Sequence, residues 1–199
     1  MNSEKLQILS EHYSHTFDFL QSYLKRRDKL FMWALLIIAI MLFHIYIPRE
    51  VSNLVDQLIE KKLEVQTQIN FLYIQSVIWF VLLAIVIKYF QSVIFIERQY
   101  SYLHSIEELL SSEYEHSAFT REGKSYLSNY PAFLNWASFL YTILFPAILA
   151  VISISKIVSE YKQYGLNEPL IWFNILIFIF IIISLGLYSY GIHFKQKNT

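Results

Sequence analysis

The sequence contains no cysteine, and only 16% of its 199 residues are charged. Without cysteine, the chain has no disulfide, no thiolate metal site and no cysteine nucleophile. A soluble domain of ordinary composition carries about 25% charged residues, whereas long stretches of this chain carry none. Its 16 Lys and Arg balance 16 Asp and Glu, so the net charge gives no indication of a nucleic-acid partner. This composition excludes a disordered chain and an ordinary soluble enzyme, and it is typical of a membrane protein.

Four apolar segments are long enough to cross a bilayer core of about 30 Å, which needs about 20 helical residues. They are Leu30 to Ile47, Phe71 to Ile87 with apolar character continuing to Ile96, Trp136 to Ser155, and Leu170 to Ile192. Tryptophans lie near several of the segment ends, as they do at lipid interfaces. The pattern predicts an all-α integral membrane protein with four transmembrane helices and cytoplasmic amphipathic helices.

These segments divide the chain into five parts. We predict a cytoplasmic amphipathic helix at 1–29, the first two transmembrane helices with a short outer amphipathic segment at 30–96, a cytoplasmic helix and hinge at 97–135, the last two transmembrane helices at 136–192, and a cytoplasmic tail at 193–199. With this division, 11 of the 16 Lys and Arg lie on the side of the two termini, including the run Lys25-Arg26-Arg27. The positive-inside rule therefore places both termini in the cytoplasm.

Few polar side chains fall inside the four segments. Lys88 lies at the cytoplasmic end of the second span, where its stem can reach the headgroups, and His44 lies near the outer end of the first. We expect Gln75 and Asn174, just inside the interface, to bond between helices. No Asp or Glu occurs within the segments as drawn, which argues against a proton-coupled pump or a pore built on acidic rings.

Two stretches outside the spans have apolar residues at helical spacing. The first includes Leu9, Phe17 and Leu20 and carries acidic residues on its opposite face; the second includes Leu103, Ile106 and Leu110. Anionic lipid repels an acidic face because the charges have the same sign. Helices that lie in the plane of the membrane surface normally carry Lys and Arg on their polar face instead. We therefore expect the stripes to pack on protein, within one chain or between copies in a homo-oligomer. The predicted partner or oligomer contacts are Leu9, Phe17, Leu20, Leu103, Ile106, Leu110, Tyr114 and Arg121.

Between the second cytoplasmic helix and the third span lies the stretch from Phe119 to Tyr126, which contains Gly123-Lys124-Ser125. It lacks the upstream glycine and the preceding strand of a phosphate loop. It is either a hinge near lipid phosphates or a docking contact for a partner. In the third span, Ser138, Thr142, Pro146 and Ala150 recur at four-residue steps, a spacing that suits close helix packing or an oligomer seam.

The sequence carries no recognisable catalytic constellation, since neither paired catalytic carboxylates nor a nucleophile motif appears. His12 and His15 have the three-residue spacing of metal ligands, but a solvated helix face explains the pair equally well. We therefore expect a protein that is not an enzyme and that uses no metal and no cofactor.

The layout of four spans, cytoplasmic termini and cytoplasmic helices without a catalytic motif resembles the membrane subunit of the Kiwa antiphage system. The accessory membrane proteins of type VI CRISPR loci are similar in size and layout. The resemblance implies a homo-oligomeric sensor or scaffold in the bacterial inner membrane that recruits a soluble cytoplasmic protein. The alternative is an oligomeric channel that depolarises the membrane; a small transporter is disfavoured by the absence of internal repeats.

Overall fold

The computed structural model describes residues 3–48, 71–112 and 132–193, together with positions 50, 51, 53, 54, 57 and 61. Across these residues the chain is helical and contains no strand. The helices are α1 (Ser3–Tyr46), α2 (Phe71–Ser111), α3 (Ala132–Phe139), α4 (Phe145–Tyr164) and α5 (Pro169–His193), and a π-helical turn at Leu140–Leu144 joins α3 to α4.

Four helical stretches are long and apolar enough to cross a membrane, as the sequence predicted: Glu4–Tyr46, Phe71–Ser111, Trp136–Tyr164 and Pro169–Ile192. The first two each join a predicted span and a predicted amphipathic helix into one uninterrupted helix. Neither α1 nor α2 contains a glycine or proline, so nothing in the sequence stops the helix at the predicted boundaries near 29 and 97.

The third span contains a π turn, where backbone bonds run from residue i to i+5 instead of i+4. In this pattern the carbonyl of Tyr141 would face the nitrogen of Pro146, which has no hydrogen to donate. The Tyr89 hydroxyl donates to this carbonyl instead, at 3.3 Å. Because the wider turn shifts the helical register, Ser138 is exposed while Pro146 is buried. The π turn therefore interrupts the regular four-residue spacing between Ser138 and Ala150.

α4 ends at Gly165, whose φ of 73° lies where only glycine is comfortable. Its amide donates to the carbonyl of Tyr161 at 3.0 Å, which closes the last turn of the helix. The indole of Trp172 then donates to the carbonyl of Leu166 at 3.0 Å and fastens the turn. The helix thus continues through Tyr164, beyond the end of the predicted span at Ser155.

The chain divides into two compact units: unit 1 is Met1–Lys29 with Tyr89–Thr142, and unit 2 is Leu30–Lys88 with Ile143–Thr199. In unit 1, Leu20 of α1 packs with Ile96 and Leu103 of α2 in one buried cluster. Phe17 packs against the same cluster. The cluster is the apolar core of unit 1 that pairs these two helices.

Polar and aromatic contacts accompany this core. The His12 and Tyr102 side chains form a hydrogen bond of 2.8 Å between Nε2 and the hydroxyl. The Tyr13 hydroxyl donates to Glu107 Oε1 at 2.9 Å. These contacts join the α1 and α2 segments of unit 1 across about 90 residues of sequence.

The core of unit 2 draws side chains from four helical segments. Its buried apolar residues are Ala34, Ile37, Ile38, Met41, Leu72, Trp79, Leu82, Leu83, Val86, Phe145, Leu149, Ile152, Ile171, Ile177, Ile181, Leu185 and Tyr188. Phe31 meets Phe145 edge to face with ring centroids 5.0 Å apart, a favoured aromatic geometry. This core surrounds a group of polar side chains.

Candidate functional site: a buried polar cluster in unit 2

Six polar side chains of unit 2 are buried together, and we call them the buried polar cluster. They are His44 from α1, Gln75 and Trp79 from α2, Lys156 and Glu160 from α4, and Asn174 from α5. The α1 and α4 members lie near the C-terminal ends of their helices, and the others lie within the first turns of theirs. The cluster is thus built at one end of the four helical segments, with each segment contributing at least one side chain.

Lys156 is at the centre of the cluster, and its ammonium position has three polar neighbours. Its Nζ lies 2.8 Å from His44 Nδ1, 2.8 Å from Gln75 Oε1 and 2.9 Å from Glu160 Oε1. Three contacts equal the full hydrogen-bonding capacity of a lysine amino group. Lys156 therefore joins three helices through a single atom.

Glu160 receives donors from two further helices. The indole Nε1 of Trp79 lies 3.0 Å and 3.1 Å from its two carboxylate oxygens, and Asn174 Nδ2 donates to Oε2 at 2.9 Å. Together with the contact to Lys156, these bonds supply donors to both oxygens of a carboxylate that has no access to solvent. Hydrogen bonds to charged acceptors are shorter and stronger than neutral ones.

His44 lies between Gln75 and Lys156 and contacts both. Its Nε2 lies 2.9 Å from Gln75 Nε2, while Nδ1 faces Lys156. Its ring stacks on Phe71, with centroids 4.9 Å apart and planes inclined by 20°. Gln75 Nε2 also reaches the Tyr164 hydroxyl, at 3.3 Å. Both ring nitrogens of His44 are therefore engaged, which fixes the orientation of the ring.

The burial of Lys156 and Glu160 carries a free-energy cost, because both charges are removed from water. Lys156 is 2% exposed and Glu160 is 0% exposed. Removing a charge from water costs several kcal/mol per ion even after relaxation, and the pair recovers this only with good geometry and additional hydrogen bonds. The cluster supplies both conditions. Two acceptors nearby have no hydrogen-bond partner among the described residues, Asn174 Oδ1 and Ser153 Oγ.

The sequence identified only part of this cluster. The expectation that Gln75 and Asn174 bond between helices is confirmed by their contacts with Lys156 and Glu160. The segments as drawn contain no acidic residue, but Glu160 lies on the same helical stretch as the third of them, Trp136–Tyr164, beyond its predicted end at Ser155. The predicted third span ends at Ser155, so Lys156 and Glu160 lie just beyond it. Their spacing of four residues on a continuing helix was the available signal.

His44 and Lys88, the two ionisable residues recognised within the spans, have different surroundings. His44 is buried and bonded to two other helices, whereas Lys88 is exposed.

The predicted contact residues belong mainly to unit 1. Phe17 packs against the core of Leu20 and Leu103, Leu9 is half-buried, and Ile106 and Leu110 are buried. Within the single chain these side chains are thus already covered to different degrees. Tyr114, Arg121 and the stretch 119–126 lie outside the described residues.

The described residues contain no group of three or more His, Asp or Glu side chains placed to hold a metal ion. His12, one of the two histidines with ligand spacing, instead contacts the Tyr102 hydroxyl.

Comparison of the chain with protein-family models, curated proteins and solved structures finds no match.

Proposed function

We propose that the chain is a non-enzymatic membrane sensor or scaffold that crosses the bacterial inner membrane four times and presents paired helices to a soluble cytoplasmic protein. The observation that carries this proposal is the length of α1 and α2. At 1.5 Å per residue, their 44 and 41 residues extend about 66 and 62 Å. A bilayer core of about 30 Å accommodates less than half of either helix.

The parts of α1 and α2 that exceed the thickness of the bilayer core are polar and belong to unit 1. Residues 3–29 of α1 and 97–111 of α2 contain most of the charged residues of these helices. Their shared apolar stripe is closed by the contacts around Leu20 and Leu103. The paired segments can therefore be exposed to water, because their apolar stripes are buried against each other and need no membrane surface to cover them.

The surface of this helix pair has the character of an interaction site. Glu4, Glu11 and Asp18 are exposed, and among them stand large apolar side chains, with Ile8 61% and Leu109 59% exposed. Apolar side chains set in a charged surface are a feature of protein interaction sites. The segment from Glu4 to Asp18 carries three exposed carboxylates and one exposed lysine, Lys5, and this local acidic excess favours a partner with a basic face.

The role in antiphage defence and the assembly as a homo-oligomer are supported by the layout shared with the Kiwa membrane subunit. The lipid bilayer, further copies of this chain and a soluble cytoplasmic protein are the proposed partners. Direct binding of nucleic acid is not part of the proposal, because the 16 Lys and Arg of the chain are balanced by 16 Asp and Glu.

Cysteine labelling tests the topology, since the native chain contains no cysteine that would give background. We expect Ser14→Cys and Ser105→Cys, exposed positions on α1 and α2, to react with a membrane-impermeant maleimide only after the cells are opened. Asn167→Cys, in the turn after α4, should react in intact spheroplasts. The reverse pattern, or labelling of all three sites in intact spheroplasts, would contradict the proposed orientation.

Photo-crosslinking tests the partner. A photoreactive residue at Leu109 should join the chain to a soluble protein encoded by a neighbouring gene, and Glu11→Lys should weaken this product by reversing a surface charge. The matched control is a photoreactive residue at Leu187, which is 67% exposed on α5. Products with lipid or with the chain alone at both positions would count against a scaffold. Ion conductance by the purified chain in planar bilayers would favour the channel instead.

A further inference from the structure

Three side chains of the buried polar cluster form a closed ring of contacts. Lys156 Nζ meets His44 Nδ1 at 2.8 Å, His44 Nε2 meets Gln75 Nε2 at 2.9 Å, and Gln75 Oε1 returns to Lys156 Nζ at 2.8 Å. Each contact needs one donor and one acceptor. The number of protons on the ring therefore decides whether all three contacts can be hydrogen bonds.

A cationic Lys156 does not satisfy the ring. Its ammonium is a donor at both of its ring contacts, while neutral His44 and the Gln75 amide each supply one donor and one acceptor. The three contacts then contain four donors and two acceptors, so one contact sets donor against donor. Exchanging the amide oxygen and nitrogen of Gln75 moves the conflict to another contact without removing it.

A neutral Lys156 satisfies every contact. The amine then donates to one ring partner and accepts from the other, and its second hydrogen remains directed to Glu160. With either orientation of the Gln75 amide, a matching tautomer of His44 completes the ring. An additional proton placed on His44 instead of Lys156 restores the donor–donor conflict, because imidazolium donates from both nitrogens.

Glu160 opposes this preference. With a neutral lysine, its fully buried carboxylate has no positive partner among the described side chains that contact it, which are Lys156, Trp79 and Asn174. A buried carboxylate strongly favours a cation in contact. All three ring contacts are therefore hydrogen bonds only when Lys156 is neutral, whereas the charge of Glu160 is neutralised only when Lys156 carries the additional proton. The two requirements cannot be met at once.

We propose that the buried polar cluster is a proton-binding switch, in which Lys156 takes up one proton and opens one contact of the ring with His44 or Gln75. Proton uptake thus exchanges an interhelical hydrogen bond for neutralisation of Glu160. The proton is carried by Lys156 rather than His44, because the carboxylate contacts Lys156. The groups that face Lys156 are His44 from α1, Gln75 from α2 and Glu160 from its own helix; Trp79, Tyr164 and Asn174 contact these groups.

Trp79 provides the readout, since its indole contacts Glu160 and senses the charge of the neighbouring Lys156. The test uses the full chain in detergent micelles, with the other three tryptophans, all exposed, replaced by phenylalanine. Emission of Trp79 is recorded between about pH 4 and pH 10, a range that covers the ordinary carboxyl and histidine titrations and approaches that of lysine. We expect a single step. The matched control Lys162→Met removes an exposed lysine of the same helix and should keep the step.

Two variants identify the carrier of the proton. Glu160→Gln removes the charge that favours the ammonium, so the step should persist and move down by about one to three pH units, the effect of an opposite charge at contact distance. Lys156→Met combined with Glu160→Gln leaves no charged side chain in the buried polar cluster, so it should fold and show no step. Absence of a step in the parent, loss of the step in Glu160→Gln, or a step in the double variant would each overturn the proposal. This test needs no partner and is independent of the proposed scaffold role.

Discussion

The Lys156–Glu160 pair predicts an unusual pattern of mutational effects in unit 2. Lys156→Met should leave the carboxylate of Glu160, which is 0% exposed, bonded only to the neutral donors Trp79 and Asn174. At a pH below the titration of Lys156, Glu160→Gln should leave the ammonium without its counter-charge. Removing one partner of a buried pair costs about 3–5 kcal/mol, or about two to four powers of ten in the unfolding equilibrium constant.

The double variant, Lys156→Met with Glu160→Gln, should be more stable than either single variant, because the buried polar cluster then contains no charge that needs a partner. Replacing both members of a buried ion pair by uncharged side chains of similar volume is often neutral or stabilising. The two single effects together amount to about 6–10 kcal/mol if each costs about 3–5. The expected coupling energy is therefore several kcal/mol, well above the value of about 0.3–0.5 kcal/mol found for independent sites.

The assay is equilibrium unfolding in mixed micelles, followed by circular dichroism, for the parent, both single variants and the double variant. Lys162→Met is the matched control, since Lys162 is exposed on the same helix; its effect should stay within about 0.5 kcal/mol. Additive single effects, or a double variant less stable than both single variants, would refute the argument that the two charges depend on each other.

Two further effects follow from the packing. Leu103→Ala should destabilise unit 1 by about 2–5 kcal/mol, because the side chain is fully buried beside Leu20. Leu109→Ala changes an exposed residue of α2 and should alter the stability by no more than about 0.5 kcal/mol. Equal amide-exchange rates for the α1 segment in both variants would contradict this. Gly165→Ala should lower the free energy of unfolding by about 1–3 kcal/mol. The cause is the backbone strain of an alanine at φ 73°, because a Cβ at this position meets no atom within 4 Å. The control Gly186→Ala, inside α5 with equally open space, should stabilise by about 0.5–1 kcal/mol, so the same sign in both glycine variants would be inconsistent with the backbone argument.

Much of the helical framework could be read from the sequence. The apolar runs located four helices that are long enough to cross a membrane, because hydropathy and helix length are local properties. The spacing of Leu20 and Leu103 predicted buried stripes, and the structure places both residues in one cluster. The spacing left open whether such stripes pack within one chain or between copies.

The limits of this reading lie where several helices meet. The hydropathy of α4 falls after Ser155, where the predicted span ends, yet the helix continues to Tyr164 and buries Lys156 and Glu160. Likewise, the four-residue steps from Ser138 to Ala150 did not reveal the π turn between them. By itself the sequence determined where apolar helices form. Only the tertiary structure decided which charges are buried, because the cost of burying a charge depends on partners supplied by other helices.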